Sequence, residues 1–191
     1  MDLHQEHHID LRVRKTREAI KNTFQEMICE MPAEKITVKE LTDRARIHRK
    51  TFYLHYTSIE ALYQDMMAEI AEGFYKEMEK LKAPYSHEEV NRVFFTYYAG
   101  QDKYVERLIC EPSYRPFCNK LHTATLQHNL SRHNPYADFS SEAQNMIYTF
   151  LVASSLELYR QWIADGKKLP LKEVIELTGK LLNKGISGII G

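Results

Sequence analysis

Hydrophobic positions recur every three or four residues along most of the 191-residue chain. In the first run, Ile20, Phe24, Met27, Ile28 and Met31 line one face of a helix expected over roughly 10–31, which Pro32 stops. A short second run puts Val38, Leu41 and Ala45 on one side, and Thr37 and Glu40 have the spacing of a capping box at its start. After a break of about three residues, a third short helix begins near His48. Thr57 and Glu60 repeat the capping-box spacing and open a longer helix carrying Leu62, Met66, Ile70 and Phe74 on one face. Beyond Pro84 the periodicity predicts helices over roughly 86–99, 103–110, 114–132, 140–164 and 171–186, with loops at "HNPYADFS" and "ADGKKLP". No βαβ alternation appears, so the expected fold class is all-α.

Composition narrows the functional classes. The 26 basic and 26 acidic residues cancel, so no whole-molecule field points to a partner and any such signal must be local. Cys29, Cys110 and Cys118 are an odd count without paired spacing, which fits reduced thiols in a cytoplasmic protein. The N-terminus lacks the apolar core of a signal peptide, and no apolar run has membrane-spanning length. His4, His7 and His8 read as a polar chain end rather than a metal site. No Gly-rich phosphate loop, paired-carboxylate motif or nucleophile elbow is present, so neither catalytic residues nor a cofactor are expected.

Local charge then singles out one region. A capped short helix, a tight turn and a second short helix make a helix-turn-helix, whose second helix enters the DNA major groove. From Arg44 to Ile59 the chain carries Arg44, Arg46, Arg49, Lys50 and two histidines but no acid. A second acid-free basic cluster spans Arg12 to Arg17. Phe52 is expected to point inward, leaving Arg49, Lys50, Thr51, Tyr53, His55 and Tyr56 for the outer faces.

The stretch "ITVKELTDRARIHRKTFYLHYTSIEAL" resembles the DNA-binding segment of the tetracycline-repressor (TetR) family. The shared features are an Ile-Thr-Val opening, a Leu-x-x-x-Ala second helix, Thr-Phe-Tyr-x-His-Tyr and Ser-x-Glu-Ala-Leu, over roughly residues 10–75. The resemblance implies an N-terminal three-helix helix-turn-helix domain over 1–57 and a helical effector-binding and dimerisation bundle over 58–191. It implies that Thr37 donates to a phosphate, that Arg49 and Lys50 read bases or phosphates, and that Thr51, Tyr53 and His55 grip backbone or base edges. Tyr56 packs at the end of that helix. The chain departs from the family at three positions: Arg46 replaces a turn glycine, His48 replaces a capping serine, and Ile59 replaces a lysine. A left-handed backbone at Arg46 would cost about 1 kcal/mol, so either the turn relaxes or Arg46 is kept for a DNA contact.

The second half is rich in aromatic residues. The resemblance implies a small-molecule pocket here, with Phe74, Phe94, Tyr97, Tyr98, Tyr114, Phe117 and Phe150 as candidates to line it for a small apolar or aromatic effector, although each ring taken singly also reads as packed core. "FFTYY" wraps a helix all round, so its rings must meet more than one neighbour. Leu151, Ser155, Leu158 and Trp162, with Ile175 and Leu182, are candidates for a homodimer interface. The expected function is a palindrome-binding, effector-released repressor acting on double-stranded DNA. A DNA-bound scaffold of the same fold that recruits a protein partner, without an effector, is the other reading.

Overall fold

The computed structural model describes residues 3–82, 84–118 and 134–185, with side chains from residue 11 onward. Its order is α1 (Leu3–Glu30), a 3₁₀ turn (Ala33–Lys35), α2 (Val38–Arg44), α3 (Arg49–Tyr53), α4 (Ile59–Met78), α5 (His87–Ala99), α6 (Lys103–Cys110), a 3₁₀ turn (Pro112–Tyr114), α7 (Ser141–Ala164) and α8 (Leu171–Lys184). The described residues contain no strand, in keeping with the all-α expectation. α1 begins at Leu3 rather than near residue 10. The helix expected over 114–132 lies mostly outside the described residues. Among those described, no helix is long and apolar enough to cross a membrane.

The helix starts show where local chemistry decides register. The Thr37 hydroxyl accepts the Glu40 N–H at 3.2 Å, but the box stays half-made because the Glu40 carboxylate takes Arg44 Nε at 2.9 Å instead. Ser58, not Thr57, caps α4 by accepting the Ala61 N–H at 3.1 Å. A full reciprocal box forms at α5, where Ser86 and Glu89 hold each other's backbone N–H.

Around the first three helices the expected apolar faces close into one core. Ile20, Phe24, Met27 and Ile28 of α1 meet Leu41 of α2, Phe52 of α3 and Leu62 of α4, all fully buried. The end of α1 is also clamped from α6 and the turn after it. Arg107 Nε donates to the Ile28 carbonyl at 2.7 Å, Tyr114 OH donates to the Met31 carbonyl at 2.6 Å, and Ser113 Oγ accepts the Ala33 N–H at 3.2 Å. Carbonyls and N–H groups left open where a helix ends are satisfied this way without solvent.

The "FFTYY" run resolves because α5 has neighbours on several sides. Phe95 packs on Trp162 of α7, Phe94 on Tyr159 of α7, and Tyr98 stacks on Phe74 of α4. Thr96 faces solvent. Tyr97 crosses over α4 to donate to the Ile70 carbonyl at 2.7 Å. It passes directly over Gly73, where a Cβ would stand 2.3 Å from the Tyr97 hydroxyl, so only glycine allows that crossing.

Candidate nucleic-acid interface

α3 has two sides, and residue spacing assigns them. Phe52 and Tyr56, four residues apart, both point inward and are buried. Arg49 and Lys50 are exposed, Thr51 and His55 are half-buried, and Tyr53 is 55% exposed with its ring edge-on to Phe52 at 5.5 Å. His48 occupies the N-cap position without a side-chain cap bond, as its poor capping chemistry implies, and its ring is exposed. Thr37 spends one acceptor lone pair on the Glu40 N–H, so its hydroxyl proton remains available to an acceptor. The sequence-level cationic run is thinner than it looked. Arg44 is held by Glu30 and Glu40. Among the described residues, no ion pair engages Arg46, Arg49 or Lys50.

The turn before α3 does not relax. Arg46 sits at φ 54°, in left-handed backbone. The Ile47 N–H reaches the Thr42 carbonyl at 3.0 Å and the Arg46 N–H reaches the Asp43 carbonyl at 3.3 Å. That pair of bonds is a Schellman motif with arginine in the position that favours glycine. Arg46→Gly is therefore expected to raise stability by about 1 kcal/mol or somewhat less, since glycine also loosens the unfolded chain. The thermal midpoint should rise by about 2 °C. A fall in the midpoint would mean that the Arg46 side chain contributes packing larger than its backbone strain.

A polar hub anchors the far end of α3. Tyr56 OH donates to Asp65 Oδ2 at 2.8 Å and accepts Arg17 Nε at 2.9 Å. Arg17 also reaches Asp65 Oδ1 at 2.6 Å, with its guanidinium 5.5 Å from the Tyr56 ring centre. Lys21 bonds Asp65 at 2.7 Å and also Glu69. The hub ties α1, the end of α3 and α4 together. Burial alone would raise the Asp65 carboxyl, but the hydrogen bonds from Arg17, Lys21 and Tyr56 outweigh it and bring its pKa down to about 2. Burial, above all, raises the Tyr56 phenol.

The remaining candidates fall in several environments. Phe74, Phe94, Tyr98 and Tyr114 are buried. Tyr97 and Phe117 are half-buried, with Phe117 stacked on Tyr63 at 4.1 Å. Phe150 is 55% exposed and lines an open hollow with Asn145, Met146 and Thr149, apart from the other rings. A larger groove of about 470 Å³ runs between α5 and α8 past Arg92, Ile175 and Lys180. Of the interface candidates, Leu151, Ser155, Leu158, Ile175 and Leu182 are half-buried. Trp162 is buried and donates Nε1–H to the Leu169 carbonyl at 2.8 Å, so it serves the single chain's core. Burial, above all, pushes the Cys110 thiol up to about 12 and raises Cys118, favouring protonated thiols. One residue of the presented face escaped the sequence reading: Leu54, 77% exposed.

No protein-family model matches the chain. An uncharacterized HTH-type transcriptional regulator of Bacillus subtilis (strain 168), YxbF, is 40% identical over 63 residues, which is 32% of this chain; the chain spans only 17% of that relative's length. The fold is shared more widely. A TetR transcriptional regulator from Streptococcus agalactiae is 20% identical with a TM-score of 0.68, covering 91% of this chain and 96% of that one. The regulator FadR from Bacillus subtilis, solved in complex with stearoyl-CoA, is 14% identical with a TM-score of 0.59, covering 88% of this chain and 98% of that one. The chain thus has the fold of TetR-type transcriptional regulators.

Proposed function

We propose that the protein is a homodimeric transcription regulator that grips a palindromic operator with the α3 of each copy. The carrying observation is the presented side of α3. Arg49, Lys50 and Tyr53 are exposed on a helix whose other side is locked by buried Phe52 and Tyr56. A rigid helix that offers cations and hydroxyls, with its own acids absent, matches the needs of phosphate and base contact. Arg46 supports the reading independently. A side chain kept in strained backbone beside this helix has a use that offsets its cost of about 1 kcal/mol.

In this reading residues 1–57 read DNA, with Thr37, Arg46, His48, Arg49, Lys50, Thr51, Tyr53 and His55 as contacts. Residues 58–191 dimerise and respond to a small apolar or aromatic molecule. The half-buried apolar residues of α7 and α8 support self-association, because one copy leaves them partly wet. The clamp from α6 onto the end of α1 supports effector release. A displacement of α6 would be passed to the reading domain through Arg107, Ser113 and Tyr114. The molecule is then a repressor, whose two α3 helices lose their matched spacing when the effector binds.

Selection of bound fragments from random duplex DNA by the purified protein tests this. The expected product is a palindrome with half-sites about one helical turn or more apart. Recovery of unrelated fragments at uniformly weak affinity would overturn it.

A further inference from the structure

The presented side of α3 holds one residue that charge and hydroxyl chemistry do not explain. Leu54 is the most exposed large hydrophobic side chain among the described residues, at 77%. A solitary exposed leucine is ordinary on a protein surface. Its position is what distinguishes this one. It lies four residues after Lys50 and three after Thr51, so the three share one helical face, opposite the Phe52 and Tyr56 face. Its backbone is fixed as well: the Leu54 N–H reaches the Lys50 and Thr51 carbonyls, both at 3.2 Å. The side chain is therefore carried at a set height on the same wall as the candidate base readers.

Its surroundings narrow the partner. The same wall carries the exposed Lys50 and the half-buried Thr51, a cation and a hydroxyl, rather than a broad apolar patch of the kind that a protein partner covers. The available apolar partner is small and set among acceptors. The major groove offers such a group in the C5-methyl of thymine, which stands beside the acceptors that lysine and threonine read. We propose that Leu54 packs on a thymine methyl in each half-site and makes that base a specificity determinant. The inference rests on the DNA-binding reading above and adds to it a defined apolar readout.

The test uses the duplex recovered by selection, remade with each thymine in turn replaced by deoxyuridine, which removes only the methyl. Full-length wild type and Leu54→Ala are compared on the series. For wild type, one uracil position per half-site should weaken binding by about threefold to tenfold, the scale of burying one methyl. Leu54→Ala should lose a similar factor on the unmodified duplex and be indifferent to uracil at that position. Its thermal midpoint should match wild type, because the side chain is solvated in the free protein. Equal uracil sensitivity in both proteins would overturn the inference, as would a recovered site whose thymine methyls all prove dispensable. In either case specific binding persists and the DNA-binding reading stands. Absence of specific binding to any duplex overturns both together.

Discussion

Phe52→Ala is expected to lower stability by about 3–5 kcal/mol and, on the proposed function, to remove duplex binding with it. The ring is fully buried, edge-on to Tyr53 and 5.9 Å from the Tyr56 ring. It is the one buried residue of a five-residue helix, too short to hold itself together by its own backbone bonds. Removing the ring leaves a cavity in the core that α3 shares with α1, α2 and α4, and frees α3 from the surface that orients it. The thermal midpoint should fall by about 10 °C. Phe52→Leu should recover most of the loss, because it refills most of the volume. A midpoint unchanged in the alanine variant would mean that α3 is held by something other than this ring.

Asp65→Ala should cost about 2–3 kcal/mol, and pH should expose the same contribution in the unmutated protein. The carboxylate is 24% exposed and holds Arg17, Lys21 and Tyr56 at once. Its removal leaves Tyr56 OH without its acceptor and Lys21, itself 12% exposed, with Glu69 alone. Folding lowers this carboxyl from an ordinary value of 3.8 to about 2. A group depressed by folding contributes stability above its unfolded pKa and loses it as pH falls toward the folded one. The contribution is thus complete above about pH 5 and disappears between about pH 4 and 2, amounting to about 1–2 kcal/mol after solvent screening. Urea unfolding of wild type and Asp65→Ala across that range should give curves that converge at low pH. Parallel curves would show that the carboxylate acts through packing and not through charge.

Much of this architecture is legible in the sequence where a single helix decides the outcome. The spacing of Leu62, Met66, Ile70 and Phe74 needs no partner to be read as one buried face, and all four are buried. α6 and the end of α7 fall where periodicity puts them. What fails is choice between near-equal neighbours and pairing at a distance. Thr57 and Ser58 can each cap a helix, and the chain uses the second. Glu40 can close a box or hold Arg44, and the ion pair wins. Arg44 belongs to the acid-free run in the sequence, and Glu30, fourteen residues earlier, gives no local sign of reaching it. The clamp of Arg107, Ser113 and Tyr114 on the end of α1 spans about 80 residues and leaves no periodic trace. Leu54 is within reach of the sequence: its spacing from Lys50 puts it on the outward face if Phe52 points inward. A search for charges and hydroxyls passes over such a residue.

A regulator of this kind requires that α3 and its basic flank meet the phosphate backbone. Affinity for the selected duplex, measured against salt for wild type and for the Arg49→Ala, Lys50→Ala double variant, tests that most directly. Wild type should lose about a thousandfold in affinity between about 50 and 200 mM salt, as expected for about six phosphate contacts from two copies. The double variant should bind more weakly with a shallower slope. A wild-type affinity indifferent to salt, or a slope that the double variant leaves unchanged, would mean that α3 does not meet the phosphates.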